Sequence, residues 1–286
     1  MPRSGIVTIL LVFLWNINYS QENFVLPSGV EKDRISFELV NNLIIIPVEL
    51  NGLHLSFLLD TGVDTTVLFG INENDTLDIS DAEKIRLRGI GGDEYIEALK
   101  SVGNQMKVGK SVSNDLTLYL ILDRKINFSP RLGFPVHGII GSDLFQDFIV
   151  EINYKRKFIR LYEKGVGLRK TERYEAIPLV FFKNKPYLNA EIELEARIIR
   201  GTFLIDSGLS DALWLFENEE NISIPERSYE DLIGLGLVGD INGSRSRIGF
   251  LKIGDQKLRE VNTSFPDTAA FGGLKFFIGR NGSMGA

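Results

Sequence analysis

The sequence predicts a mainly β protein of two lobes, built by internal duplication and containing few short helices. Three observations predict it. Apolar and polar residues alternate along most of the chain, a phrase ending in an acid is stated twice, and separate landmarks recur at nearly one spacing. The phrase is Phe57-Leu58-Leu59-Asp60-Thr61-Gly62 in the first half and Phe203-Leu204-Ile205-Asp206-Ser207-Gly208 in the second. Asp60 and Asp206 lie 146 positions apart, Gly109 and Gly254 lie 145 apart, and Gly92-Asp93 and Gly239-Asp240 lie 147 apart. A fourth landmark pairs Gly138-Ile139-Ile140-Gly141 with Gly279-Arg280-Asn281-Gly282 at 141, an offset that a small loop deletion explains. Two copies at such a period make a duplicated lobe rather than a solenoid, whose repeats are shorter and more numerous.

In chain order, Ile35, Phe37 and Leu39 alternate before the apolar run Leu43 to Leu50. Asn51-Gly52 is a hairpin signal, so Leu53 to Leu59 returns as a second strand that delivers Asp60 at its end. Val63 to Phe69 continues as strand, and Leu87-Arg88-Gly89-Ile90-Gly91-Gly92-Asp93-Glu94-Tyr95-Ile96 reads as a mobile hairpin tip. Ala98 to Leu122 is strand turning at Val108-Gly109-Lys110. Ser142 to Phe148 is a short helix, followed by a hairpin from Ile149 to Tyr162. The charged, glycine-containing stretch that follows suits a linker, after which the pattern restarts. These boundaries give a first lobe over 28–165, a linker over 166–176 and a second lobe over 177–286. The helix and hairpin that follow the bracketed pair in the first half find no room after Gly282, so the second lobe is expected to be truncated.

The chain has 286 residues, 44% hydrophobic and 24% charged, an ordinary globular composition. A net charge of −6 without clustered Lys and Arg argues against a nucleic-acid partner. With no cysteine, disulfides, zinc–thiolate sites and a cysteine nucleophile are excluded. Arg3 precedes a short apolar run from Ile6 to Trp15 and a polar stretch to Gln21, which fits a signal peptide over 1–20 cleaved near Ser20. A membrane span needs about 20 apolar residues. The mature chain is therefore expected to be secreted or periplasmic without a stable span; an N-terminal strand or an uncleaved anchor is the alternative.

The repeated phrase carries the chemistry. Each copy is a buried strand that leaves an acid at its end, with a glycine allowing close backbone approach. Two such acids brought face to face cannot both ionise cheaply, so they share a proton and can act as acid and base toward one water. The alternative for the same residues is a pair of structural turns whose carboxylates cap backbone amides.

At these residues the chain resembles two-lobed aspartic peptidases of the pepsin and retropepsin superfamily, and most resembles bacterial secreted aspartyl proteases. Asp60-Thr61-Gly62-Val63-Asp64-Thr65-Thr66-Val67-Leu68 and Ile139-Ile140-Gly141 carry the likeness most strongly. The resemblance implies an acid-protease double β-barrel acting as an aspartic endopeptidase on an extended peptide or protein substrate, with Asp60 and Asp206 as the catalytic pair. Thr61 and Ser207 would hydrogen-bond across the lobes, and Gly62 and Gly208 would give close approach. Gly89 to Ile96 would be a flap in which Gly91, Gly92 and Tyr95 meet substrate. No cofactor or metal is implied. Some such proteases carry a C-terminal PDZ domain that this sequence would lack. A non-catalytic peptide-binding module on the same scaffold is the alternative. Pepsin-like enzymes have hydroxyl residues where this chain has Val63 and Leu209, so fewer donors to the charged form predict a weakly acidic to near-neutral optimum.

Three weaker signals point elsewhere. Gly234-Leu235-Gly236-Leu237-Val238-Gly239 matches a dinucleotide fingerprint, but Asp240-Ile241-Asn242-Gly243-Ser244 is turn chemistry rather than a helix, so a second-lobe loop is expected. Gly109-Lys110-Ser111 lacks the first glycine of a P-loop. His54 and His137 stand in no metal-ligand pattern.

Overall fold

A computed structural model describes residues 24–71, 78–79, 82–168, 174–217, 221–271 and 279–285. The expected signal peptide lies outside these residues, as do positions 169–173 of the expected linker.

The first lobe opens with β1 (Lys32–Ser36), β2 (Glu38–Val40), β3 (Leu43–Leu50) and β4 (Leu53–Leu59). Asn51 and Gly52 both take positive φ, 46° and 85°, the primed turn that suits strand twist and sets the β3–β4 register. Next come β5 (Thr66–Leu68), β6 (Glu83–Arg88), β7 (Tyr95–Val108) and β8 (Ser111–Ile121). A one-turn helix, α1 (Ser129–Leu132), then leads to β9 (Gly138–Ile140), helix α2 (Ser142–Asp147) and the hairpin β10 (Phe148–Asn153) and β11 (Phe158–Glu163). The sequence reading anticipates α2 but not α1, which is short and contains Pro130.

The second lobe runs β12 (Val180–Phe182), β13 (Lys185–Leu194), β14 (Arg197–Ile205), β15 (Leu213–Leu215) and β16 (Tyr229–Leu235). It continues with β17 (Asp240–Ile253), β18 (Gln256–Pro266), a 3-10 turn at Thr268–Phe271, and β19 (Arg280–Met284). The two main sheets have the same order strand for strand: β2-β3-β4-β9-β5-β8-β7-β6 and β12-β13-β14-β19-β15-β18-β17-β16. Additional pairings of β3 with β7 and of β13 with β17 curl each sheet back on itself. The fold is thus mainly β, two-lobed and duplicated. A third sheet, β1-β11-β10, belongs to the first lobe and has no counterpart among the described residues.

The apolar run of β3 has a geometric cause. Side chains alternate across a strand, and Ile44, Ile46, Val48 and Leu50 fill the first barrel together with Leu55, Phe57 and Leu59 of β4. The opposite face of the same strands places Leu43, Ile45 and Leu58 in a second apolar cluster, where the lobes meet. Both faces are buried, so the run is continuous. Each such side chain removed from water contributes about 1.5–3 kcal/mol. In the second lobe Leu188, Ala190, Ile192 and Leu194 point inward in the same way.

One correspondence expected from sequence is corrected. β4 runs parallel to β9, with Phe57, Leu58 and Leu59 beside Gly138, Ile139 and Ile140. β14 runs parallel to β19, with Phe203, Leu204 and Ile205 beside Gly282, Ser283 and Met284. The second bracketed pair is therefore Ser283-Met284, between Gly282 and Gly285, and not Arg280-Asn281. Glycines at 279, 282 and 285 offer the G-x-x-G spacing twice, and only the backbone ladder chooses between them.

Candidate active site

Each half-site is a strand end anchored from behind. The N–H of Asp60 donates to the carbonyl of Ile140 at 2.9 Å, and the N–H of Asp206 donates to that of Met284 at 2.8 Å. Support beneath Asp206 therefore matches support beneath Asp60. Each carboxylate then accepts the N–H two residues on: Gly62 to Asp60 Oδ1 at 2.7 Å and Gly208 to Asp206 Oδ1 at 3.1 Å.

A reciprocal hydroxyl lock joins the halves. The N–H of Thr61 donates to Ser207 Oγ and the N–H of Ser207 donates to Thr61 Oγ1, both at 3.0 Å. Each hydroxyl donates onward across the interface, Thr61 to the carbonyl of Ile205 at 2.6 Å and Ser207 to that of Leu59 at 2.8 Å. Four hydrogen bonds with approximate two-fold symmetry fix the two loops in one mutual geometry. The glycines complete the arrangement: a Cβ built on Gly208 would lie 2.2 Å from Asp60 Oδ2, and one on Gly62 would lie 2.8 Å from Asp206 Oδ1. Each carboxyl thus rests on the other lobe's glycine, near enough for the two acids to influence one another.

A second pair of equivalents supports the strands. Ser56 N–H donates to His137 Nδ1 at 3.1 Å, and Thr202 N–H donates to Asn281 Oδ1 at 2.9 Å. His137 and Asn281 occupy matching places and act as acceptors, which gives His137 a structural task and leaves its other ring nitrogen to carry the proton when neutral.

Two hairpin tips cross where the lobes meet. The first, between β6 and β7, holds Gly89 to Glu94; the second, between β16 and β17, holds Gly236 to Gly239. The N–H of Gly91 donates to the carbonyl of Ala270 at 2.7 Å and that of Val238 to the carbonyl of Ile90 at 3.1 Å. Ile90 packs against the second-lobe cluster of Leu209, Trp214, Ile233 and Phe271, while Leu235, Leu237 and Val238 pack against first-lobe residues. Gly91 sits at φ +114°, and a Cβ there would lie 2.4 Å from the carbonyl oxygen of Gly239. Arg131 of α1 pairs with Asp240 at the base of the second tip.

Residues 46–144 match the family model for aspartyl protease. That match falls within the first lobe. Among solved structures, a retropepsin-like aspartic protease from Rickettsia conorii is similar to this chain at 15% identity and a TM-score of 0.30, covering 49% of this chain and 96% of that one. No curated protein matches the chain.

The matched segment runs from β3 to α2, so it includes Asp60, the first hairpin tip and Ile139-Ile140-Gly141. Burial pushes Asp60 well above the ordinary carboxyl range, the neighbouring Asp206 charge pushes it further, and the Gly62 N–H opposes both. Burial also raises Asp206, but Arg280 holds it down, as do its bonds from Asp60 and Gly208. Burial lowers the affinity of Arg280 for its proton, opposed by the charge of Asp206.

Of the residues expected from sequence, Asp60, Thr61, Gly62, Asp206, Ser207 and Gly208 come together in one site. Gly91 and Gly92 lie at the tip, Gly92 with Val238 beside it. Tyr95 stands apart: it begins β7, is 53% exposed, and is stacked on and hydrogen-bonded by Arg88. The second-lobe loop expected at Gly234 to Gly239 is a hairpin end: Gly234 and Leu235 close β16, and Gly236 to Gly239 form the second tip. Its signal was the recurrence of Gly-Asp at 92–93 and 239–240. Trp214 is buried in the second-lobe cluster. Among the described residues no helix is long and apolar enough to cross a membrane, and no group of three or more His, Asp or Glu is placed to hold a metal ion.

Proposed function

We infer that the protein is an aspartic endopeptidase in which one water is activated between Asp60 and Asp206, one acid from each lobe. The observation that carries this reading is the reciprocal lock of Thr61 and Ser207, which holds the buried carboxyl of Asp60 beside the half-buried carboxyl of Asp206. A pair so placed shares one proton, and so offers a base to water and an acid to a carbonyl oxygen without a cofactor. Beneath the crossed tips the substrate is an extended peptide, whose backbone can pair with strand edges while side chains alternate to either side.

Incubation of the full chain with a peptide library, read by mass spectrometry, tests this. Internal cleavage that disappears in Asp60→Asn and in Asp206→Asn supports it. Peptide binding without turnover in the parent protein would instead favour a binding module on the same scaffold. The basic leader and short apolar run at the N-terminus support secretion or a periplasmic location. N-terminal sequencing of the exported protein would locate cleavage near Ser20, and an intact leader on the mature protein would refute it. The lobe boundaries at 165 and 177 are tested by limited proteolysis, with first cuts expected between them.

A further inference from the structure

The two half-sites share a backbone but not an electrostatic environment. Strand register matches them residue by residue. Leu58 and Leu204 hold the same place, and their cross-strand neighbours are Ile45 and Tyr187. Two positions earlier on those strands stand Leu43 and Lys185, and two positions before Gly138 and Gly282 stand Val136 and Arg280. Leu43, Ile45 and Val136 are buried in one apolar cluster. Their counterparts are a lysine, a tyrosine and an arginine.

Arg280 is held in place. Its Nε donates to the carbonyl of Gly282 at 3.2 Å, its Nη2 donates to Ser283 Oγ, and its guanidinium lies 4.9 Å from the centroid of the Phe216 ring. These contacts fix a cation on the strand whose Met284 carbonyl receives the Asp206 N–H. Its charge reaches both Asp206 and the buried Tyr187.

We propose that Arg280 is a positioning residue that seats the pair's negative charge on Asp206, so that Asp206 is the base toward water and Asp60 the acid toward the scissile carbonyl. The assignment rests on the peptidase reading above. The charged or titratable groups around the pair agree with it. Lys185 acts on both carboxyls, Arg280 acts on Asp206, and burial keeps Tyr187 neutral against the pull of Arg280, helped by the charges of Asp206 and Asp64. With an apolar surround on its own lobe, Asp60 retains the shared proton and directs its O–H toward Asp206.

In the first step a water O–H proton passes to Asp206 as the water oxygen bonds to the carbonyl carbon, and Asp60 gives its proton to the carbonyl oxygen. The tetrahedral diol then collapses. Asp206 returns its proton to the amide nitrogen, the C–N bond breaks, and a diol hydroxyl restores the proton to Asp60. The sum is amide plus water to carboxylic acid plus amine.

The test is the pH profile of kcat/KM in the parent protein, Arg280→Gln and Arg280→Lys. Because Asp206 must be ionised to act as base, loss of the cation moves the acid limb up by about one pH unit, and activity on that limb falls about tenfold. Arg280→Lys is expected to recover most of the shift. An unmoved acid limb in a folded Arg280→Gln overturns the proposal. Should that variant fail to fold, 13C titration of the aspartate carboxyls in full-length Asp60→Asn and Asp206→Asn decides the matter. Asp206 alone is expected to titrate below Asp60 alone, and the reverse order overturns it. Turnover surviving in either Asn variant would refute the peptidase reading itself, an outcome separate from these.

Discussion

The first and second hairpin tips are built from equivalent strands, yet each grips the opposite lobe in its own way. The first inserts Ile90 into an apolar cluster and ties Gly91 to Ala270, so its hold is at the very tip. The second lays Leu235, Leu237 and Val238 along first-lobe residues and is tethered at its stem by Arg131 and Asp240. The half-sites beneath repeat the lesson. Backbone geometry, hydroxyls and glycines are kept in both copies, while the side chains that tune charge and grip diverge. Duplication therefore preserves what needs symmetry and releases the rest.

The comparison breaks hardest at the acids. Asp60→Asn and Asp206→Asn are each expected to lower kcat/KM by at least about 10³-fold, and the double variant to lose little more, because the pair acts as a unit. Single losses that multiply in the double variant would contradict that. Stability should move the other way for Asp60. Its folded pKa lies above the unfolded value, so its contribution is present at low pH and is lost as pH rises through the folded value. Asp60→Asn should accordingly raise Tm at pH 7 and leave it unchanged below the unfolded carboxyl pKa of about 3.9. Calorimetry at the two pH values checks the sign.

Gly91 and Gly92 sharpen the contrast between tips. Gly91→Ala forces a side chain into a positive-φ position against Gly239, and about a tenfold fall in kcat/KM is expected. Gly92→Ala meets only a methyl of Val238 at 3.2 Å and should stay within about threefold of the parent. Equal effects would mean that the tips do not close during turnover. A smaller effect tests the matched acceptors. His137→Asn, which copies the second lobe, should unfold in urea like the parent. His137→Leu orphans the Ser56 N–H and should cost about 1 kcal/mol. The weakest device is the exposed Arg131–Asp240 pair: Arg131→Ala should change kcat/KM by less than about twofold, with any effect vanishing at high salt.

Much of this is legible in the sequence. The phrase around Asp60 and Asp206, the turns at Gly109 and Gly254, and the Asn51-Gly52 hairpin are local patterns, and local patterns survive folding. What escaped was decided by contacts distant in sequence. The register of β19 depends on which carbonyl receives the Asp206 N–H, and its strand carries Ser283 where the first lobe has Ile139, so hydrophobicity could not point to it. The second tip was hidden because Gly234 to Gly239 imitates a nucleotide fingerprint, and only its meeting with Ile90 reveals its place. The position of Tyr95 beside the tip says nothing about the direction of its ring, which Arg88 sets.

The covalent link between the lobes has a consequence for heredity as well as for chemistry. In a two-fold assembly of identical chains every substitution is copied onto both sides of the axis, so an arginine introduced beside one acid appears beside its twin. Two halves encoded in one chain are free of that constraint. A lysine, a tyrosine and an arginine can enrich one flank while leucine, isoleucine and valine remain on the other, and a single proton acquires a preferred home.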